Sequence, residues 1–238
     1  MNKRILVLSI ALSVALISCK KHEANPPGDP APIDSTAPAA EAEAEAEAEA
    51  EAAAAAASPE PSEQDRERAE QQAKLEYATM EDGYINDAKG QWASTAKASS
   101  AFGDANTAPA DSQDGNTPWQ ATGAPNGDNW NNNNQDIGFD WIELTYTTPV
   151  KGTEVRAVTT DNEAAESISK IELIDTDGAA HTIWSGLSET RQDARGARTW
   201  IVHKFDVTPY QVKSVKLTFA NNVASGYKQV DAVQLIGE

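Results

Sequence analysis

Between Trp141 and Ile236 the chain repeats one pattern, a short run of alternating apolar and polar residues bounded by Gly, Pro, Asn or Asp. The runs are 141–146, 154–159, 170–174, 181–184, 200–205, 214–219 and 230–236. Alternation with period two sends successive side chains to opposite faces of an extended strand. No strong amphipathic helix pattern lies among the runs, so helices cannot supply the core. Seven or eight strands at this spacing predict an all-β sandwich over residues 81–238. All six tryptophans lie beyond Met80, where that core must form. Residues 104–138 break the pattern: they are long, polar and rich in Asn, Gly, Asp and Pro, which predicts a loop region carried on a rigid scaffold.

The chain before Met80 cannot contribute to such a core. From Cys19 to Ser62 it is proline, alanine and glutamate, with Pro26, Pro27, Pro30, Pro32 and Pro38 ahead of alternating Glu-Ala from Glu41 to Ala50. Large apolar side chains are nearly absent, so nothing offsets the entropy of ordering. The segment reads as a disordered tether. For about 50 residues its r.m.s. reach is roughly 40 Å, and like charges extend it. Residues 63–80 read as a short solvated helix: Ser62 with Asp65 approximates a capping box, while Ala69, Ala73, Leu75 and Tyr77 make no full apolar stripe.

At the start, Lys3-Arg4 precede an apolar run from Ile5 to Ile17. That run is too short to span a bilayer, which takes about 20 residues, and has the length of a signal-peptide hydrophobic region. It ends in Leu16-Ile17-Ser18-Cys19, which resembles the lipobox of bacterial lipoproteins. The resemblance implies a signal peptide over 1–18, cleavage before Cys19 and acylation of that cysteine, palmitate included. Cys19 is the chain's single cysteine, so no intrachain disulfide is available and lipidation removes a free thiol from an exported protein. Two acyl chains suffice for stable anchoring. Lys20, where the enterobacterial sorting rule has aspartate for retention in the inner membrane, points to the outer membrane. With 37 acidic and 19 basic residues, a net charge of −18, the chain is not a nucleic-acid binder.

Several segments recur in a familiar order: Gln91-Trp92-Ala93-Ser94, Ala121-Thr122-Gly123-Ala124-Pro125-Asn126, Asp140-Trp141-Ile142-Glu143-Leu144, Lys170-Ile171-Glu172-Leu173, Thr182-Ile183-Trp184-Ser185-Gly186 and Val230-Asp231-Ala232-Val233. The ordered set resembles the discoidin (F5/8 type C), galactose-binding-like superfamily, in a bacterial surface branch, over residues 90–238. The resemblance implies an eight-stranded jelly-roll sandwich whose loops at one end bind glycans, lipids or proteins.

Many members hold a structural calcium with a loop aspartate, backbone carbonyls and an acid on the last strand. Asp231 matches the last-strand acid. Its parity is that of Val233 and Leu235, so its carboxylate must coordinate a metal or be hydrogen-bonded, to Arg156 or backbone amides. The loop partner has two phasings. One uses Asp114 in Asp114-Gly115-Asn116. The other puts Thr122-Gly123 there, with Trp130 as the following tryptophan, and leaves Asn126, Asp128 and carbonyls as donors of oxygen to Ca²⁺.

The candidate ligand face is Trp130 followed by Asn131, Asn132 and Asn133, with Trp119 as a second aromatic platform. Carbohydrate needs a flat apolar face and amides for hydroxyls; alternatively Trp130 is core and the asparagines a turn-rich loop. His181 and His203 stand in separate runs without nucleophile or metal-ligand spacing, and Asp175 and Asp177 flank a turn at Gly178. No catalytic residue is assigned. Three functions are open: an envelope carbohydrate-binding module, a docking subunit for another envelope protein, and a hydrolase with an unrecognised site.

Overall fold

The computed structural model describes residues 61–103 and 115–238; the expectations for the signal segment, Cys19, the tether and Asp114 lie outside them. Among the described residues no helix is long and apolar enough to cross a membrane.

The domain opens with helix α1 (Glu63–Ile85), followed by β1 (Gly90–Trp92) and β2 (Thr95–Ala98). After a 3-10 turn (Pro118–Ala121) come β3 (Trp130–Asn131), β4 (Phe139–Val150), β5 (Gly152–Thr159), the short helix α2 (Asn162–Ser167), β6 (Ile168–Asp175), β7 (Ala180–Ser185), β8 (Thr199–Lys204), β9 (Val212–Ala220), β10 (Gln229–Val230) and β11 (Ala232–Gly237). They form a five-stranded sheet, β2-β4-β9-β6-β7, a four-stranded sheet, β1-β11-β5-β8, and a ribbon of β10 with β3. Every pairing is antiparallel. The expected sandwich is present, and all seven sequence runs are strands, the last of them broken at Asp231.

The two sheets face each other across one core. Ile142, Leu144, Tyr146, Ile171, Leu173, Val215, Leu217 and Phe219 come from the larger sheet, and Val155, Ala157, Ile201, Val233 and Leu235 from the smaller. Each fully buried aliphatic chain contributes roughly 1.5–3 kcal/mol. The outer face of the larger sheet carries charge instead. Glu143 stands opposite Lys216 and pairs with Lys97 at 3.2 Å, and the Lys216 ammonium lies 4.4 Å from the Trp141 ring.

The smaller sheet is covered on both faces, and here α1 departs from the expected solvated helix ending at residue 80. It runs on to Ile85, and its last turns dock. Tyr77, Met80, Tyr84 and Ile85 pack on Trp92, Val158, Trp200, Val202 and Ala232. The apolar stripe is real but confined to the last turns, too short to show as periodicity over the whole segment. The Ser62 cap forms as expected, with Asp65 N donating to Oγ at 3.2 Å. Arg156 crosses this second layer. Its guanidinium lies 4.3 Å from the Tyr84 ring and bonds Glu154, Asp87 and Gln234.

Strand direction gathers the loops. β4, β6, β8 and β11 begin, and β5, β7 and β9 end, at the same end of the sandwich. Residues 115–138, 160–167 and 221–228 therefore converge there.

Candidate functional site

The β3–β10 ribbon shows why. Trp130 pairs with Val230, and Asn131 with Gln229. Trp130 and Val230 turn into the core, so parity sends the two amides outward. Asn116 takes the left-handed conformation (φ 69°) and bridges to Trp130. The result is a groove of about 460 Å³ lined by Gly115, Asn116, Gln120, Gly127, Asp128, Asn129, Asn131 and Gln229. The Thr160 hydroxyl sits 3.0 Å from Asn129 Oδ1 and 2.9 Å from Gln229 Oε1, and its one proton serves either acceptor. Asn131 Oδ1 is buried and accepts no hydrogen bond. A buried acceptor left unmade costs about 1–3 kcal/mol.

Of the five expected ligand residues, the structure brings only Asn131 to this groove. Trp130 is fully buried, tilted against Phe219 at 5.8 Å, with its indole N–H donating to Ser100 O at 2.9 Å. It is core, and presents no face to a ligand. Asn132 is also fully buried: its Nδ2 donates to Asp140 Oδ2 and Asn221 Oδ1, and its Oδ1 accepts from Lys228 N. Asn133 is exposed but outside the groove, its backbone N–H bonded to Ser100 Oγ. Trp119 is half-buried on the 3-10 turn, outside the groove its neighbour Gln120 lines.

The asparagine run is thus mostly scaffold, built around two buried ions. Asp140, 2 % exposed, accepts from Ser99, Ser100, Asn132, Asn134 and Asn221 at 2.7–3.0 Å. Burial pushes its carboxyl up, but these bonds outweigh it and hold the group below the usual carboxylate value. Lys228 is fully buried, and the carbonyls of Gln135, Asn221, Ala224 and Gly226 surround its three ammonium protons. Burial pulls this amine below its ordinary value, against the pull of Asp161, Glu163, Asp140 and Asp136.

The described residues of the expected calcium site, Asp231, Asn126 and Asp128, do not fit the ion, and Asp114 lies outside the described residues. Asp231, 1 % exposed, accepts from Asn126 N at 3.0 Å, Gly127 N at 3.1 Å and Arg198 Nε at 3.0 Å. Calcium takes six to eight oxygens, whereas this carboxylate is ringed by N–H donors. Asn126 and Asp128 bond each other: Asn126 Nδ2 donates to Asp128 Oδ2 at 3.3 Å and Asp128 N to Asn126 Oδ1 at 2.8 Å. No cluster of three or more His, Cys, Asp or Glu among the described residues could hold a metal. The open alternative of a hydrogen-bonded Asp231 is the one present, with Arg198 rather than Arg156 as its cation.

His181 meets Asp175 at 2.8 Å and stacks on Tyr210 at 3.8 Å. Asp175 Oδ1 accepts from Asp177 N and Ala179 N, the turn expected around Gly178. Sequence reasoning missed Asn116, Gln120, Asn129, Gln229 and Arg198. Asn129 and Gln229 flank buried partners at opposite parity, a signal visible once Trp130 is placed inside.

No protein-family model matches the chain, and no curated protein matches it. Solved structures do. A family 32 carbohydrate-binding module of NanJ from Clostridium perfringens, in complex with galactose, is 16 % identical, covers 63 % of this chain and 96 % of its own, and has a TM-score of 0.44. Chitosan-binding module 1 of a chitosanase/glucanase from Paenibacillus sp. IK-5 is 15 % identical, covers 60 % and 94 %, and has a TM-score of 0.41. CBM32-3 from a family 31 glycoside hydrolase of Clostridium perfringens is 13 % identical, covers 63 % and 96 %, and has a TM-score of 0.45.

Proposed function

We propose that this chain is a lipid-anchored envelope module that binds carbohydrate in the amide-lined groove. The observation that carries the reading is the convergence of Asn116, Gln120, Asn129, Asn131 and Gln229 on one groove. A side-chain amide offers a donor and an acceptor together, which suits paired sugar hydroxyls. The lining includes no aromatic ring, so apolar burial adds little and each site is weak. A lipid at Cys19 and the 19–62 tether offset that by presenting many copies on one surface, the outer membrane by the residue after Cys19. The role read from the groove is binding, with side-chain amides as the recognising groups.

A glycan array probed with residues 20–238, set against Asn131→Ala and Gln229→Ala, tests this. Binding to a defined glycan set that both variants lose while melting normally supports it. An array signal that both variants retain removes the groove from the function.

A second reading, docking to another envelope protein, is favoured by one observation. Ile137 (75 % exposed) and Phe139 (67 %) stand at the same end of the sandwich as an edge-on Phe102–Tyr227 pair. No glycan signal, with an envelope protein cross-linking through Phe139, favours that reading.

A further inference from the structure

A second cleft shares no lining residue with the amide groove. The edge strands β7 and β8 meet there, and the crossing between them closes over about 350 Å³ lined by Trp184, Leu187, Ser188, Glu189, Thr190 and His203. The Trp184 and His203 rings join the two sheets at 5.0 Å and 43°. Three features set this cleft apart from a packing defect. The indole is half-buried, fixed at the core margin yet part of the lining. The His203 ring is half-buried with no hydrogen-bond partner among the described residues, and burial lowers its basicity. The Glu189 carboxylate is exposed and has no ion-pair partner among the described residues. The neighbouring cation, Arg191, is engaged by Glu166 at 3.3 Å and by the carbonyls of Ser188 and Thr190.

Each group asks for something different. A tryptophan at a cleft wall takes the C–H face of a ring, or a cation. An imidazole and the Thr190 hydroxyl take hydroxyl groups, each as donor or acceptor. A free carboxylate in a chain of net charge −18 takes a cation and rejects an anion. One ligand class satisfies all of them. We propose that this cleft binds a sugar bearing a free amine, with its ring against Trp184, its ammonium on Glu189 and its hydroxyls on His203 and Thr190. The site is separate from the amide groove and does not depend on it.

The test titrates residues 20–238 with a glucosamine trimer and with its N-acetylated counterpart at pH 6, following both calorimetry and tryptophan emission. The free-amine trimer binds at least about tenfold more tightly than the acetylated one, since acetylation removes the charge that Glu189 recognises. Glu189→Gln, a loop substitution that leaves the core intact, weakens the free-amine trimer about fivefold or more. Trp184→Ala weakens both trimers about tenfold. The proposal is overturned by equal affinity for the two trimers, by no binding, or by a free-amine preference that Asn131→Ala abolishes, which would place it in the amide groove. It is overturned equally if Glu189→Gln binds as the parent does, because the attraction is then the chain's diffuse negative charge alone.

Discussion

Arg198 Nε donates to Asp231 Oδ2 at 3.0 Å, and the same guanidinium reaches Glu81 at 3.5 Å. A side chain thus supplies the positive charge that the buried carboxylate between β10 and β11 requires, and it ties three elements together. Asp231 holds the backbone at Asn126 and Gly127, and Gly127 lines the amide groove. Glu81 belongs to α1, accepts from Trp200 Nε1 and lies 3.2 Å from Tyr77 Oη. The groove wall and the docked helix therefore share one electrostatic junction.

Calcium should consequently be without effect. Melting temperature is expected to be the same in excess Ca²⁺ and in chelator, whereas Arg198→Ala lowers stability by roughly 3 kcal/mol, because it strands a buried carboxylate. Denaturant titrations of both proteins, each with and without Ca²⁺, check this. A parent protein whose midpoint rises with Ca²⁺ would contradict the assignment.

The docked helix is expected to be part of the folding unit. Tyr77 is 5 % exposed and its hydroxyl donates to Arg198 O at 2.8 Å. Tyr77→Ala should cost about 3–4 kcal/mol, in the range of buried aromatic truncations, and Tyr77→Phe about 1 kcal/mol. Gly196→Ala probes the same contact from the other side, since a Cβ there would fall 2.1 Å from the Tyr77 ring. Equilibrium unfolding of the three variants separates packing from hydrogen bonding. A helix that only spaces the domain would leave all three at parent stability.

What was legible in the sequence follows from which forces act locally. The strands of the larger sheet have one solvated face, so β4 alternates as written, with Asp140, Ile142, Leu144 and Tyr146 inward. β5 and β11 are covered twice, by the opposite sheet and by α1, and their burial is nearly continuous. That second cover was invisible because α1 carries its apolar residues only near its C-terminal end. The site was legible only in part. An asparagine-rich loop signals polar chemistry, but whether a given amide faces the groove or Asp140 depends on contacts such as Asn132 with Asn221, 89 residues apart. Trp130 and Asp231 show the same limit: the residue type announced a demand, and distant partners, Ser100 and Arg198, met it.

The Asp140 network should carry part of the acid sensitivity. Its pKa is lowered in the folded state, so its stabilisation is complete above the unfolded value, about 3.9, and is lost as pH falls through the folded value. Asp140→Asn replaces an acceptor of hydrogen bonds by a group that must also donate. The variant should be less stable at pH 7, and its deficit should shrink as both proteins are taken below roughly pH 4. Urea midpoints across pH 2–7 give the comparison. A deficit that stays constant to pH 2 would mean the charge plays no part.

Asp161 should work in the opposite direction. Its Oδ1 caps α2 through Ala164 N at 2.9 Å, while Oδ2 is buried without a partner. Burial is the largest influence and raises its pKa to about 7, with Glu163 adding and Ala164 N and Lys228 opposing. The folded state therefore binds a proton that the unfolded chain has released between about pH 4 and pH 7. Stability at this residue falls as pH rises through that window and stays low above it. Asparagine is as good a helix cap as aspartate and carries no charge to bury. Asp161→Asn should thus raise the melting temperature by a few degrees at pH 8, and the gain should vanish near pH 4. Thermal melts of the two proteins at both pH values decide it. A variant less stable than the parent at pH 8 would show that the Asp161 charge is needed, with the Lys228 ammonium as the partner it serves.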